Sequence, residues 1–147
     1  MAYFAEINSE NLVLRVVVAD DADVLNYGGH GSEQAANRFQ KTCELSTNGV
    51  KWVETFKDGT RGRHAGPGRT WNEEHQIFCD SQNYPSWTLN TTTGEYESPV
   101  TKPSAADKFP LWDEDNQRWY RLDYGTEDAR NDPAVTQIWD PDTSTWS

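Results

Sequence analysis

Apolar and polar positions alternate at the start of the chain, in MAYFAEINSENLVLRVVVAD. Tyr3–Ile7 and Leu12–Ala19 have strand composition, and the turn formers NSEN between them predict a β-hairpin. The unbroken run Val16-Val17-Val18 predicts a strand covered on both faces. DDADVLNYGGHG then reads as a loop whose glycines supply permissive backbone. In SEQAANRFQKTCEL the period lengthens. Ala35, Ala36, Phe39 and Cys43 share one helical face, while Arg38, Lys41 and Glu44 fall elsewhere. Ser32 is the expected N-cap of a helix over Glu33–Glu44, which STNG ends. VKWVETFK alternates again and predicts a third strand.

Beyond Lys57 the pattern changes. DGTRGRHAGPGRT is rich in Gly and Arg and reads as a long loop or an extended arm. From Trp71 onward prolines recur every few residues and no helical period survives. A repeat takes its place. Trp71 and Phe78 are seven residues apart, as are Trp112 and Trp119, and Trp139 and Trp146; Trp87 and Tyr96 are nine apart. In a hairpin with a four-residue loop, positions i and i+7 face one another, and a cross-strand aromatic pair contributes roughly 0.2–1 kcal/mol. Asp113 and Arg118 then fall one step inside their Trp pair as opposite charges, and an Asx side chain closes the turn at Asp140-Pro141-Asp142. The pattern predicts an α+β fold: a small N-terminal antiparallel sheet with one helix over residues 1–57, then a loop and a series of Trp-bracketed β-hairpins over residues 58–147.

Composition limits what such a chain can do. It has 147 residues, 35% of them hydrophobic, and seven of its aromatic residues are Trp. Much of the available burial therefore rests on a few large side chains. The net charge is −11. Residues 1–73 hold 10 acidic and 8 basic side chains, and residues 74–147 hold 14 and 5. No basic stripe exists to neutralise phosphates, so direct binding to nucleic acid is not expected. No run of about 18 apolar residues predicts a membrane span. No signal-peptide pattern precedes the first strand, so synthesis in a cytoplasm is expected. Cys43 and Cys79 match no zinc spacing, and His30, His64 and His75 all fall in expected loops or turns. Asp113-x-Asp115 and Asp140-x-Asp142 echo the start of a calcium loop but lack its Gly and final Glu. No nucleophile elbow or phosphate loop is present. The expectation is a non-enzymatic protein without metal or cofactor.

Two features remain as candidate binding sites. Arg61, Arg63 and Arg69 cluster in one loop of an otherwise acidic chain, where an arm could reach carboxylates on a partner. Trp87, Trp112, Trp119, Trp139 and Trp146 either hold their hairpins shut or offer stacking area for a sugar or peptide.

The opening MAYFAEINSENLVLRVVVAD resembles that of small virion structural proteins of marine tailed phages, especially cyanophages. So do SEQAANRFQK, LSTNGVKWVET, HAGPGRTWNEEHQIF, YPSWTLNTTTGEYESPV and LWDEDNQRWY, and the resemblance covers nearly the whole chain. In those proteins a hairpin and helix precede an AG-x-G loop, a PSW-x-L segment and a terminal W-D…W. This chain departs by Pro67 and Arg69 in the glycine loop and by an additional segment, Asp123–Trp146. The resemblance implies a virion component, a minor structural or decoration protein bound to capsid, neck or tail proteins. A receptor- or glycan-binding accessory module using the Trp hairpins is the alternative, and an assembly factor absent from the finished particle is a third reading.

Overall fold

The computed structural model describes residues 1–42, 49–104, 109–123 and 135–147. They form two compact units, the first made of residues 1–83 with 89–96, the second of 84–88 with 97–147. The architecture is largely antiparallel β, more so than an even α+β mixture.

In the first unit, β1 (Ala2–Ile7) pairs with β2 (Val13–Ala19) and with β3 (Lys51–Thr55), giving the order β2-β1-β3. The central strand is β1, and its alternation feeds two cores. On one face Ala2 and Phe4 join Trp52, Val24, Ala35 and Ala36. On the other, Ala5 and Ile7 join Val13, Ala65, Trp71 and Phe78. The valine run lies in β2, at the sheet's edge. Val17 packs toward the first core and Val16 toward the second, while Val18 is 51% exposed. β1 is the strand covered on both faces, because β-branched composition specifies a strand without specifying its place in the sheet.

The helical layer has two elements. α1 (Asp21–Asn26) lies where a loop was expected, and its Val24 supplies the buried side chain. α2 (Glu33–Thr42) starts at the expected cap, with Ser32 Oγ accepting the Ala35 N–H at 3.2 Å. Ala35 and Ala36 are buried as expected. The side chain of Phe39, all of Cys43 and the predicted helix end at Glu44 lie outside the described residues. Glu6 is buried in β1 and pairs with Arg15, its cross-strand partner, at 3.2 Å. Gly49 leaves the room this carboxylate needs, since a Cβ there would overlap Glu6 Cγ.

The unit runs well past Lys57. β4 (Thr70–Asn72) and β5 (Ile77–Cys79) form a hairpin that brings Trp71 and Phe78 to the second core. Backbone bonds fasten it, from Val13 N to Arg69 O at 2.9 Å and from Trp71 N to Asn11 O at 2.8 Å. Next come the two short strands β6 (Thr88–Leu89) and β7 (Tyr96–Glu97). The second unit carries β8 (Leu111–Asp113), β9 (Arg118–Asp123), β10 (Val135–Asp140) and β11 (Thr145–Trp146), ordered β11-β10-β9-β8.

Four hairpin loops share one geometry. Asn72, Asn90, Asp113 and Asp140 each accept, at Oδ1, the N–H three residues on, at 2.9, 3.1, 3.3 and 3.4 Å. The residue after that is left-handed in every case: Gln76 (φ 54°), Gly94 (76°), Gln117 (50°) and Ser144 (55°). Three of these loops place aromatic residues seven apart in register, Trp71↔Phe78, Trp112↔Trp119 and Trp139↔Trp146. The fourth starts at Leu89 rather than at Trp87, with Asn90 as its Asx residue and Gly94 as its left-handed one. The nine-residue spacing from Trp87 to Tyr96 is therefore not a longer hairpin, because Trp87 precedes the strand.

A left-handed residue with a Cβ is strained by about 1–2 kcal/mol. Gln117→Gly is expected to raise stability by about 0.5–1 kcal/mol after the entropy cost of glycine. Gly94→Ala should do the opposite, by about 1–3 kcal/mol, since its Cβ would overlap the Phe78 carbonyl oxygen. Calorimetric melting of the two variants tests the pair of opposite signs.

Candidate functional site

The three arginines do not form a free arm. Arg61 is half-buried and donates from Nη1 to Glu54 O and from Nη2 to Gly31 O, both at 3.0 Å. Its guanidinium lies 5.7 Å from the Phe56 ring and 5.9 Å from the Trp71 ring. Burial works against its charge and the nearby Glu54 works for it. Arg63 and Arg69 clasp the same carboxylate. Their Nε atoms stand 3.2 and 2.8 Å from Asp80 Oδ1, just past the end of β5. Arg63 also reaches Glu95 at 2.9 Å, and Arg69 donates to His64 O at 2.6 Å. The segment from Arg61 to Arg69 is thus tied back onto its own unit.

The tryptophans of the second unit divide into two groups. Trp112 and Trp119 are 7% and 4% exposed, with ring centroids 5.1 Å apart. Trp87 closes a three-ring cluster at 5.9 and 6.0 Å, and Tyr84 packs on Trp87 in a tilted contact at 5.3 Å. The indole N–H groups are also used. Trp119 Nε1 donates to Val100 O and Trp112 Nε1 to Glu114 Oε2, both at 2.7 Å. Glu114 takes two further donors, the N–H and hydroxyl of Ser86, at 3.0 and 2.7 Å. These bonds hold its carboxyl below the ordinary range. The expected pair of Asp113 and Arg118 is present at 3.1 Å. Trp112 and Trp119 make this cluster a mini-core, at whose margin Trp87 and Tyr84 are half-buried.

Trp139 and Trp146 differ. They are half-buried, 5.2 Å apart, and Arg121 covers Trp146 at 4.5 Å. Trp139 lines a groove of about 470 Å³ formed with Pro99–Pro103, Pro141 and Ser144. In the first unit a cleft of about 220 Å³ is lined by Glu54, Arg61, Lys51, Glu73 and neighbours. There the buried Glu54 accepts from Gly31 N at 2.5 Å and lies 2.7 Å from His30 Nδ1.

No family model, curated protein or solved structure matches this chain.

Other chemistry is sparse among the described residues. No three His, Cys, Asp or Glu side chains gather as metal ligands, and no helix is long and apolar enough to cross a membrane. Asp113 and Asp140 spend their oxygens on their own loops, and those bonds hold both carboxyls low. Burial raises the Cys79 thiol, which makes it a poor nucleophile.

Sequence reasoning missed Asp80, Glu114 and Glu54. For Glu114 a signal existed. In Trp71-Asn72-Glu73 and in Trp112-Asp113-Glu114 the Glu two positions on accepts the indole N–H at 2.7 Å. Trp139-Asp140-Pro141 has proline there and lacks that acceptor.

Three outcomes follow. Trp119→Ala should cost about 3–5 kcal/mol, measured by denaturant unfolding, as expected for a buried Trp. Arg63→Ser with Arg69→Ser should lower stability by about 1–2 kcal/mol, because both ion pairs to Asp80 go. The depressed Glu114 carboxyl contributes stability that is present above the unfolded value of about 4.3 and is lost as pH falls through its lower folded value. Acid titration followed by Trp fluorescence should show the cluster opening below about pH 4, and Glu114→Gln should blunt that dependence.

Proposed function

We propose that this chain is a non-enzymatic minor structural or decoration protein of a tailed-phage virion, attached to capsid, neck or tail proteins. The sequence resemblance supports a particle component. The observation that carries attachment is that large apolar side chains are left in water on both faces at one end of the first sheet. Met1 is 72% exposed, Leu25 in α1 66% and Val18 in β2 51%, with Val18 on the sheet face opposite Val17 and α1. The Met1 ammonium is tied to Asp21 at 2.7 Å, and Ala2 pairs with Ala19, so these elements meet at that end. A partner docking over this end would cover that apolar area. The second unit presents Phe109, 90% exposed, with Leu111.

The arginines support a changed mode of attachment. With Arg63 and Arg69 committed to Asp80, apolar contact replaces a charged arm as the main link. Such attachment resists salt, since screening acts on exposed charges.

The test is incorporation. Val18→Lys with Leu25→Glu should shift the isolated protein's stability by only about 0.5 kcal/mol, as for surface changes. Its copy number in purified particles should fall sharply. Absence of the wild-type chain from purified particles would overturn the reading and favour an assembly factor.

A further inference from the structure

We propose that the groove beside Trp139 binds an acidic saccharide, with a sugar ring stacked on the indole and its anionic group held by Lys102. Among the hairpin tryptophans of this unit, Trp112 and Trp119 are closed off and Trp146 is covered by Arg121. Trp139 packs against Trp146 and opens on the groove. Its loop has Pro141 where Trp112 has Glu114, so its indole lacks the acceptor that Trp112 finds two residues on.

The opposite wall is built in advance. Val100 O accepts from Trp119 Nε1 at 2.7 Å and also from Ser98 Oγ. Lys102 lines the groove, and its Nζ lies 5.7 Å from the Trp119 ring. A wall anchored on the buried cluster needs little ordering when a ligand arrives.

The chemistry of the lining selects the ligand. Apolar area from Trp139, Pro103 and Val100 suits the C–H face of a pyranose. Thr101, Ser144 and Lys102 offer hydroxyl and ammonium groups to sugar oxygens. About 470 Å³ lies within the usual range for small-ligand sites. Among the described residues the groove lining includes one cation and no carboxylate, although residues 74–147 carry 14 acidic side chains. Asp140 is turned into its own loop, accepting from Asp142 N at 2.9 Å. The groove is therefore the part of an acidic unit that accepts an anion. A proline-rich peptide fits less well, because such ligands dock between several aromatic rings and one ring opens here.

Isothermal titration of the full chain tests the site. The probes are oligogalacturonate, oligoalginate, a sulfated carrageenan oligosaccharide, neutral maltotriose and a proline-rich peptide. At least one acidic sugar should bind, more tightly than maltotriose, and weaken as salt rises. Trp139→Ala should weaken it about tenfold or more. Thr101→Trp, which fills the groove and leaves the Trp139–Trp146 pair intact, should do the same. Lys102→Met should erase the preference for the acidic over the neutral sugar. Failure of every sugar to bind would overturn the proposal, as would unchanged binding by Thr101→Trp or binding of the peptide alone. Particles play no part in the measurement, so its outcome is separate from that of virion incorporation.

Discussion

A side-chain oxygen accepting one backbone amide three residues on is the interaction that most of the second half depends on. A chain that is 35% hydrophobic has little apolar area to fold around, and beyond Trp71 its prolines deny it helices. Four Asx loops, at Asn72, Asn90, Asp113 and Asp140, turn the chain locally instead. Each turn brings residues seven apart face to face. Where both are aromatic, one pair supplies a core small enough for a hairpin to build. An isolated hairpin is marginal, so each needs a further anchor. Trp71 and Phe78 find theirs on the second face of the N-terminal sheet, and Trp112 and Trp119 find theirs under Trp87.

What was legible in the sequence was the local part of this scheme. The first hairpin, the cap at Ser32, the register of Trp112 with Trp119 and the pairing of Asp113 with Arg118 depend on residues close in sequence. Alternation, capping chemistry and turn residues reveal such features directly. What was hidden was long-range. Nothing in the valine run says that β2 lies at an edge and β1 in the middle. Nothing near Arg63 or Arg69 says that Asp80 will receive both guanidinium groups, because a loop must close before they meet. Trp87 was misplaced because aromatic spacing was used as the ruler. The Asx residue and the left-handed position four residues later are the better one, and they put the hairpin start at Leu89.

Ion pairing redistributes the chain's charge. Ion pairs at Asp80, Glu6 and Asp113 use basic side chains internally. These pairs engage Arg15, Arg63, Arg69 and Arg118, four of the chain's 13 Lys and Arg side chains. Attachment to a partner by charge would therefore not draw on these four, whereas Met1, Val18 and Leu25 remain as apolar side chains facing water. Apolar contact carries no charge requirement on the partner, and an acidic surface elsewhere limits non-specific association of free copies.

The one exception to internal use of tryptophan follows from a single position in the repeat. After Trp71 and Trp112 the second residue is Glu, and its carboxylate holds the indole N–H. After Trp139 it is Pro141, which fixes the turn through its own ring yet offers the indole no carboxylate. The loop closes equally well, since closure needs only Asp140 and a left-handed Ser144. Folding of the hairpin and burial of its first tryptophan are thus separable in this repeat. A protein that builds hairpins from one rule can leave one ring half-buried at a groove without loss of the turn. That separation is what makes the Trp139 groove a place where binding can be added to a structural scaffold.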